Sequence, residues 1–286
     1  VLGFVTLKRI VSFRWRDVPF MLNHVGLFIT LLAAILGNGD LRRLRMTVPL
    51  ENPEWRASDK KNEMIELPLA IELRSFTIDE YPPKLMLIDN TTGKALPEKQ
   101  PENILVEEIP LAGNLQGWKV EVTRSLPMAA CVMGQDTINF VEFHSEGATT
   151  ALYVKARNEL TGRQKEGWVS CGSFLFPYKA LRLDSLTSLV MPEREPQRFA
   201  SKVKVYTQEG TITEDTIEVN RPMEIEGWKI YQLSYDESKG GWSDISIFEL
   251  VRDPWLPVVY TGIVMMMLGA VCLFVNAQKR KEEEKE

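Results

Sequence analysis

The sequence has little histidine and little cysteine, with two and three residues in a chain of 286. So few cysteines exclude a disulfide-dense scaffold. The net charge of −5 argues against a nucleic-acid-binding protein, which would carry a strongly basic surface. Aromatic and β-branched residues occur throughout, so the chain does not have the composition of a long disordered segment.

The sequence also lacks the short motifs of common enzyme classes. It contains no hydrolase nucleophile elbow, no phosphate-binding loop, no dinucleotide-binding glycine pattern and no Cys-x-x-Cys pair. Carboxylates are abundant but scattered, which is typical of a solvated surface. We therefore expect no catalytic site built from this chain alone.

Charge is missing from two long stretches. Residues 18–39 give 22 consecutive positions without a charged side chain, and residues 254–278 give 25. About 20 apolar residues suffice to cross a hydrocarbon core as a helix. We predict transmembrane helices over residues 18–39 and 254–276.

The first span has an alternative interpretation as a cleaved secretory signal. Basic residues precede it, and Gly37-Asn38-Gly39 is a small-x-small pattern like that of a cleavage site. Asn23 and His24 argue against a signal, because a signal core would be plainly apolar. The apolar residues 1–5 are either the end of an earlier, truncated span or a segment lying on the membrane surface.

Charge asymmetry predicts the orientation. The basic segment 1–17 has a net charge of +3, the charged tail 277–286 has a net charge of 0, and residues 40–253 have a net charge of −8. Basic flanks stay in the cytoplasm, so both termini are expected inside and the large segment outside. Arg42, Arg43 and Arg45 run against this trend, but long domains are translocated largely regardless of such charges.

The large segment 40–253 has the patterns of β-structure. Apolar and polar residues alternate at 69–73, 118–122 and 202–206, and turn-forming residues lie at 90–93, 208–210 and 238–241. These 214 residues suffice for one large core or two small ones. The predicted fold class is a membrane protein with two transmembrane helices flanking a large, mainly antiparallel, sandwich-like extracytoplasmic β domain.

A weak internal similarity lies within this region. Gly117-Trp118 and Gly227-Trp228 each follow a proline-containing apolar turn and precede an alternating strand. The similarity indicates either a duplicated β unit or a chance recurrence of strand, turn and strand.

His24 is the main candidate for a functional side chain. A charged histidine inside a span is costly, so the imidazole should be neutral and face a partner, a cavity or a cofactor. It either makes an inter-helix hydrogen bond, a packing role that Asn23 could share, or serves as a ligand, since neutral imidazole is a common axial ligand of haem iron. His144, at the end of a strand-like run, is expected on the surface.

Cysteines and arginines of the large segment give two weaker candidates. A bridge between Cys131 and Cys171 would enclose 41 residues and stabilise by about 4 kcal/mol, but two free thiols fit the sequence equally well. Arg42, Arg43 and Arg45 are placed to meet lipid phosphates or the carboxylates of a ligand, and lipid is the simpler interpretation.

Several motifs resemble the ResB (CcsB) family of cytochrome c biogenesis proteins. The longest are residues 211–223 and residues 227–236, the latter reading Gly-Trp-Lys-Ile-Tyr-Gln-Leu-Ser-Tyr-Asp. The family's return to the membrane through Asp-Pro and Tyr-x-Gly has counterparts at 253–254 and 260–262, and its Asn-His-x-Gly span opening has one at 23–26. Two features depart from the family: Trp255 replaces a usual glycine, and two spans stand where fuller members have about four.

The resemblance implies a role in haem handling. Such proteins act with a multi-span CcsA-type partner to move haem across the bacterial inner membrane and deliver it to apocytochrome c, with the large domain facing the periplasm. His24 occupies the place of the family's histidine and so becomes a candidate axial ligand, with haem iron as its only metal. The chain would then be one part of a haem-ligating synthase complex; a membrane-tethered binding or sensor module without haem is the competing interpretation.

Overall fold

The computed structural model describes residues 17–134 and 137–283, with side chains described as far as Val275. The predicted basic segment therefore lies outside the described residues except for Asp17. The apolar residues 1–5 and the side chains of the charged tail also lie outside them. Within the described ranges the chain forms two α-helices, 18 β-strands and a short 3-10 helix at Gly240–Trp242.

The two helices stand at the two ends of the described chain. Helix α1 spans Val18–Asp40 and helix α2 spans Leu256–Glu283. Both are long and apolar enough to cross a membrane, and only 17% and 11% of their most apolar windows are buried. Core helices of a soluble domain would be mostly buried, so this exposure fits membrane-spanning helices.

The second helix begins two residues later than predicted and continues past its apolar stretch. The Asp253 side chain accepts a hydrogen bond from the Trp255 amide at 3.0 Å and holds residues 253–255 in a turn. Lysine, arginine and glutamate are good helix formers, so the charged sequence after residue 278 extends the helix rather than ending it.

The strands between the helices confirm the predicted β class. Their bounds are β1 Arg42–Pro49, β2 Glu54–Ser58, β3 Met64–Glu80, β4 Lys84–Asp89, β5 Ala95–Leu96, β6 Asn103–Leu105, β7 Leu111–Leu115, β8 Trp118–Met133, β9 Ile138–Glu142, β10 Thr149–Asn158, β11 Gln164–Ser170, β12 Leu181–Arg182, β13 Thr187–Val190, β14 Pro196–Thr207, β15 Ile212–Glu218, β16 Met223–Ile225, β17 Trp228–Tyr235 and β18 Ile245–Arg252. All pairings between these strands are antiparallel.

The first β unit is an eight-stranded sheet in the order β15-β14-β3-β2-β1-β18-β17-β16. It curls on itself, so that β15 lies against β16 and β17 and the apolar face closes around one core. Strand β1 shows why: Leu44, Met46 and Val48 are buried, while the alternate residues are exposed. A strict period of two gives the sheet one apolar face.

The second β unit is inserted into the first, between β3 and β14. It consists of two five-stranded sheets, one built from β4, β5, β6, β12 and β13 and the other from β7 to β11. Leu87 and Leu189 of one sheet share a core with Val120 and Val154 of the other. The domain is thus two β units, of which the second is a sandwich.

The two Gly-Trp sequences form the same local structure. Gln116-Gly117 and Glu226-Gly227 all have positive φ, between 47° and 78°, and connect β7 to β8 and β16 to β17. Positive φ at both central residues is the signature of a type I′ hairpin turn. Each turn delivers a tryptophan to a core, with Trp118 and Trp228 both buried.

Cys131 and Cys171 are free thiols. Cys131 lies in β8, where it pairs with Phe140 of β9, and Cys171 follows the end of β11. Of the two alternatives for these cysteines, the structure has the free thiols.

Candidate functional site

Helices α1 and α2 pack antiparallel through small residues. A Cβ atom added at Gly26 would lie 2.6 Å from the Gly262 carbonyl oxygen and 3.0 Å from the Met266 amide nitrogen. A Cβ at Gly269 would lie 2.9 Å from the backbone nitrogen of Asn23. The glycines therefore allow backbone to approach backbone, the usual way in which helices pack within a membrane.

A polar contact joins the two helices at their junction with the β domain. The Trp255 indole Nε1 donates a hydrogen bond to Asp40 Oδ2 at 2.7 Å. Gly37 makes room for the same ring, since a Cβ there would lie 2.9 Å from the Trp255 Cβ. Tryptophan favours the headgroup level, so this contact marks one boundary of the hydrocarbon core.

His24 does not face helix α2. The buried residues of α1 are Pro19, Gly26, Ala33 and Gly37, which define its packing stripe. At 3.6 residues per turn, His24 lies roughly 150° around the helix from the centre of that stripe. Its own side of α1 carries the exposed side chains of Phe28, Leu31 and Ile35.

One nitrogen of the His24 ring is already engaged within α1. Nδ1 lies 2.9 Å from the carbonyl oxygen of Phe20, and the two rings stack with centroids 3.6 Å apart. Because a carbonyl can only accept, Nδ1 carries the proton in the neutral ring and Nε2 carries the lone pair. Within residues 17–134 and 137–283, no hydrogen bond to Nε2 is found. One of the two alternatives for His24 is a hydrogen bond to another helix. His24 makes no such bond with α2.

The depth of His24 follows from the helix lengths. It lies 16 residues before Asp40, which corresponds to about 24 Å along the helix axis. At the other end, its neighbour Asn23 is level with Gly269, and the apolar part of α2 continues for six more residues, about 9 Å, to Val275. His24 therefore lies inside the apolar layer, away from both boundaries.

A second candidate site is a cleft of about 560 Å³ between the two β units. Ile78 and Glu80 of β3 line one wall, and Thr149 and Cys171 line the other. The Trp242 indole bridges the walls by donating a hydrogen bond to the Ala148 carbonyl at 3.3 Å. Inter-unit clefts of this size are common binding sites.

Charged side chains of both signs line the cleft. Burial raises the pKa of Glu80; the Arg194 guanidinium, 2.9 Å from its carboxylate, opposes the rise, and Glu193 adds to it. Burial likewise raises the pKa of Tyr235, and the carboxylates of Glu237, Glu193 and Glu80 act in the same direction. The cleft is lined by three carboxylates, Glu80, Glu193 and Glu237, and by two cations, Arg194 and Lys239, so positive and negative groups nearly balance.

The other candidate residues from the sequence do not come together in one site. His144 is exposed, as expected, with 72% of its side chain accessible, and it lies 3.8 Å from Glu142. Over the part of the chain that the structure describes, no group of three or more His, Cys, Asp or Glu side chains could hold a metal ion. The cleft was not predicted, since its walls are distant in sequence and carry no motif.

Part of the β domain matches a known protein family. Residues 164–247 match the model of the ResB-like family. The matched range runs from β11 into β18, so it includes residues 211–223 and 227–236 and confirms the resemblance found in the sequence there. It covers neither helix and does not include His24. No curated protein matches the chain.

Proposed function

From the match of residues 164–247 to the ResB-like family and the outward-facing His24, we propose that the chain is a membrane subunit of a cytochrome c maturation system. It acts with a CcsA-type multi-span partner to pass haem across the membrane and deliver it to apocytochrome c. The observation that carries this proposal is the direction of His24. The side chain points away from its own helix pair, where a second membrane protein can reach it.

The local geometry of His24 suits an axial ligand of haem iron. Metal-binding histidines usually donate their second ring N–H to a carbonyl or carboxylate, which fixes the tautomer and the ring orientation. The Phe20 carbonyl accepts from Nδ1 in this way and leaves Nε2 for iron. Haem is the cargo of the proposed transfer, and its flat apolar ring matches the exposed apolar side chains around His24.

The proposed haem site is shared with other proteins, because this chain supplies one histidine to it. Within the described residues, His24 is the histidine of the spans and His144 lies on the surface of the β domain. Any second axial ligand, and the chemistry that attaches haem to cysteine thiols, would come from the partner and the apocytochrome. We propose that the β domain docks one or both of these proteins.

Deletion of the gene tests the proposed function. We expect its host to lose holocytochrome c, because haem no longer reaches the apocytochrome. The measurement is haem staining of membrane and periplasmic proteins after denaturing electrophoresis, with the intact chain restored as the control. Normal holocytochrome levels in the deletion strain would contradict the proposal and favour the alternative, a tethered binding or sensor module whose ligand occupies the cleft.

The proposal also requires a defined orientation. We propose that the termini lie in the cytoplasm of a bacterium and that residues 40–253 face the periplasm, because the segment before α1 is basic and the domain is acidic. Protease added to intact spheroplasts is expected to digest the β domain and leave a cytoplasmic control protein whole. Protection of the domain until the membrane is disrupted would reverse the orientation.

A further inference from the structure

The membrane end of the eight-stranded sheet carries a like-charged cross-strand pair. Arg42 of β1 lies directly opposite Arg252 of β18 in the antiparallel register, and both side chains are exposed. Like charges placed directly opposite each other destabilise a sheet. The next residue of β1, Arg43, is also exposed but points to the opposite face of the sheet. Two guanidinium groups therefore share one face where β1 and β18 meet the helices, and a third lies on the other face.

The chain itself does not neutralise these groups. Among the residues that the structure describes, none of the three arginines lies within 4.0 Å of a carboxylate oxygen. The two acidic residues nearest in sequence are both engaged by Trp255. Asp40 accepts a hydrogen bond from its indole, and Asp253 accepts one from its backbone amide.

Arg252 is held in place by an aromatic ring. Its guanidinium carbon lies 5.9 Å from the centre of the Trp228 ring, and Trp228 is buried at the end of the sheet's core. A stacked guanidinium keeps its planar fork of N–H donors free, and this fork matches phosphate oxygens in a bidentate geometry. The cluster is therefore oriented to bind an anion.

The position of the cluster along the membrane normal indicates which anion is available to it. Arg42 is two residues from Asp40 and Arg252 is three from Trp255, the residues whose contact marks the boundary of the hydrocarbon core. In extended chain, this distance is at most about 10 Å. Lipid phosphates occupy this layer, which places them within reach of long arginine side chains.

We propose that Arg42 and Arg252 form a binding site for the phosphate headgroup of an anionic phospholipid, with Arg43 adding positive charge from the other face of β1. These unpaired cations favour a lipid with net negative charge over a zwitterionic one. Bound lipid would relieve the repulsion between Arg42 and Arg252 and fix the sheet against the membrane surface. The site does not depend on haem handling, and it would persist if the proposed function were wrong.

Native mass spectrometry of the purified full chain in detergent tests the site. After addition of phosphatidylglycerol or phosphatidylcholine in equal amounts, the wild type is expected to retain several-fold more phosphatidylglycerol. The double variant Arg42→Gln/Arg252→Gln should lose this preference. The matched control is Lys155→Gln/Arg157→Gln, which removes two exposed charges from β10 of the second unit and should keep it.

A charge-reversal variant distinguishes the loss of lipid binding from a loss of stability. Arg42→Glu places an opposite charge across from Arg252, so the thermal unfolding midpoint in lipid-free detergent should rise while the preference for phosphatidylglycerol disappears. Equal retention of the two lipids by the wild type would overturn the proposal, as would a preference that survives in the double variant. Displacement of phosphatidylglycerol by an equal concentration of a short dicarboxylate would also overturn it, since the site would then bind soluble carboxylates as well as it binds the lipid phosphate.

Discussion

Replacing His24 by alanine is expected to lower the haem that co-purifies with the chain and its partner about tenfold or more, and to lower holocytochrome c with it. The reason is that Nε2 of this ring is the axial donor that we propose the chain supplies. Loss of even an outer-shell partner of a metal ligand costs about 10–100-fold in metal affinity. The measurement is the haem absorption spectrum of the purified complex, normalised to protein.

Two controls distinguish a ligand from a packing residue. His144→Ala removes the exposed histidine of the β domain and should leave bound haem unchanged. Added imidazole should restore haem to His24→Ala, because it can enter the vacated space and supply the missing nitrogen. Unchanged haem in His24→Ala would remove the ligand hypothesis, and a loss that imidazole does not restore would point to packing against the partner.

Introducing leucine at Gly26 is expected to separate the two helices. Even a Cβ atom at this position would lie 2.6 Å from the Gly262 carbonyl oxygen, a backbone atom that cannot rotate away. Overpacking of this kind typically costs about 1–3 kcal/mol. The distance between spin labels at the exposed positions Ile35 and Tyr260, measured by pulsed electron paramagnetic resonance in a cysteine-free background, should therefore increase.

Gly39 provides the matched control on the same helix. No atom lies within 4 Å of the position that a Cβ would occupy there, so Gly39→Leu should leave the label distance unchanged. The core of the β domain is separate from the helix pair, and its thermal unfolding measured by circular dichroism should be similar in both variants. An unchanged distance in Gly26→Leu would show that the close approach of the helices does not hold them together.

The helices and the β class were predictable because each depends on a local pattern. A long run without charge predicts a membrane-spanning helix from local composition alone, and the observed α1 ends at Asp40, one residue past the predicted span. Alternation with a period of two identifies strands such as β8 and β14. The tight turns before Trp118 and Trp228 were not predictable in this way, because Gln116 and Glu226 adopt a positive φ that such residues rarely have.

The candidate sites were only partly predictable, because they depend on contacts between distant residues. The sequence indicated that His24 was unusual, but its direction depends on which side of α1 receives Gly262. The cleft requires β3 to meet the loop after β11, and no local pattern encodes that contact. The insertion of the second unit between β3 and β14 could not be predicted either, because apolar and polar residues alternate in the strands of both units.

The pairing of β1 with β18 also determines when the first unit can fold. Arg42 and Arg252 are partners across the sheet although 210 positions separate them in the chain. Contacts of such long range slow folding, and until β18 is synthesised β1 remains an open edge able to pair with other chains. Helix α2 begins four residues after β18 ends, so completion of the sheet and emergence of the second membrane helix from the ribosome are close together in time.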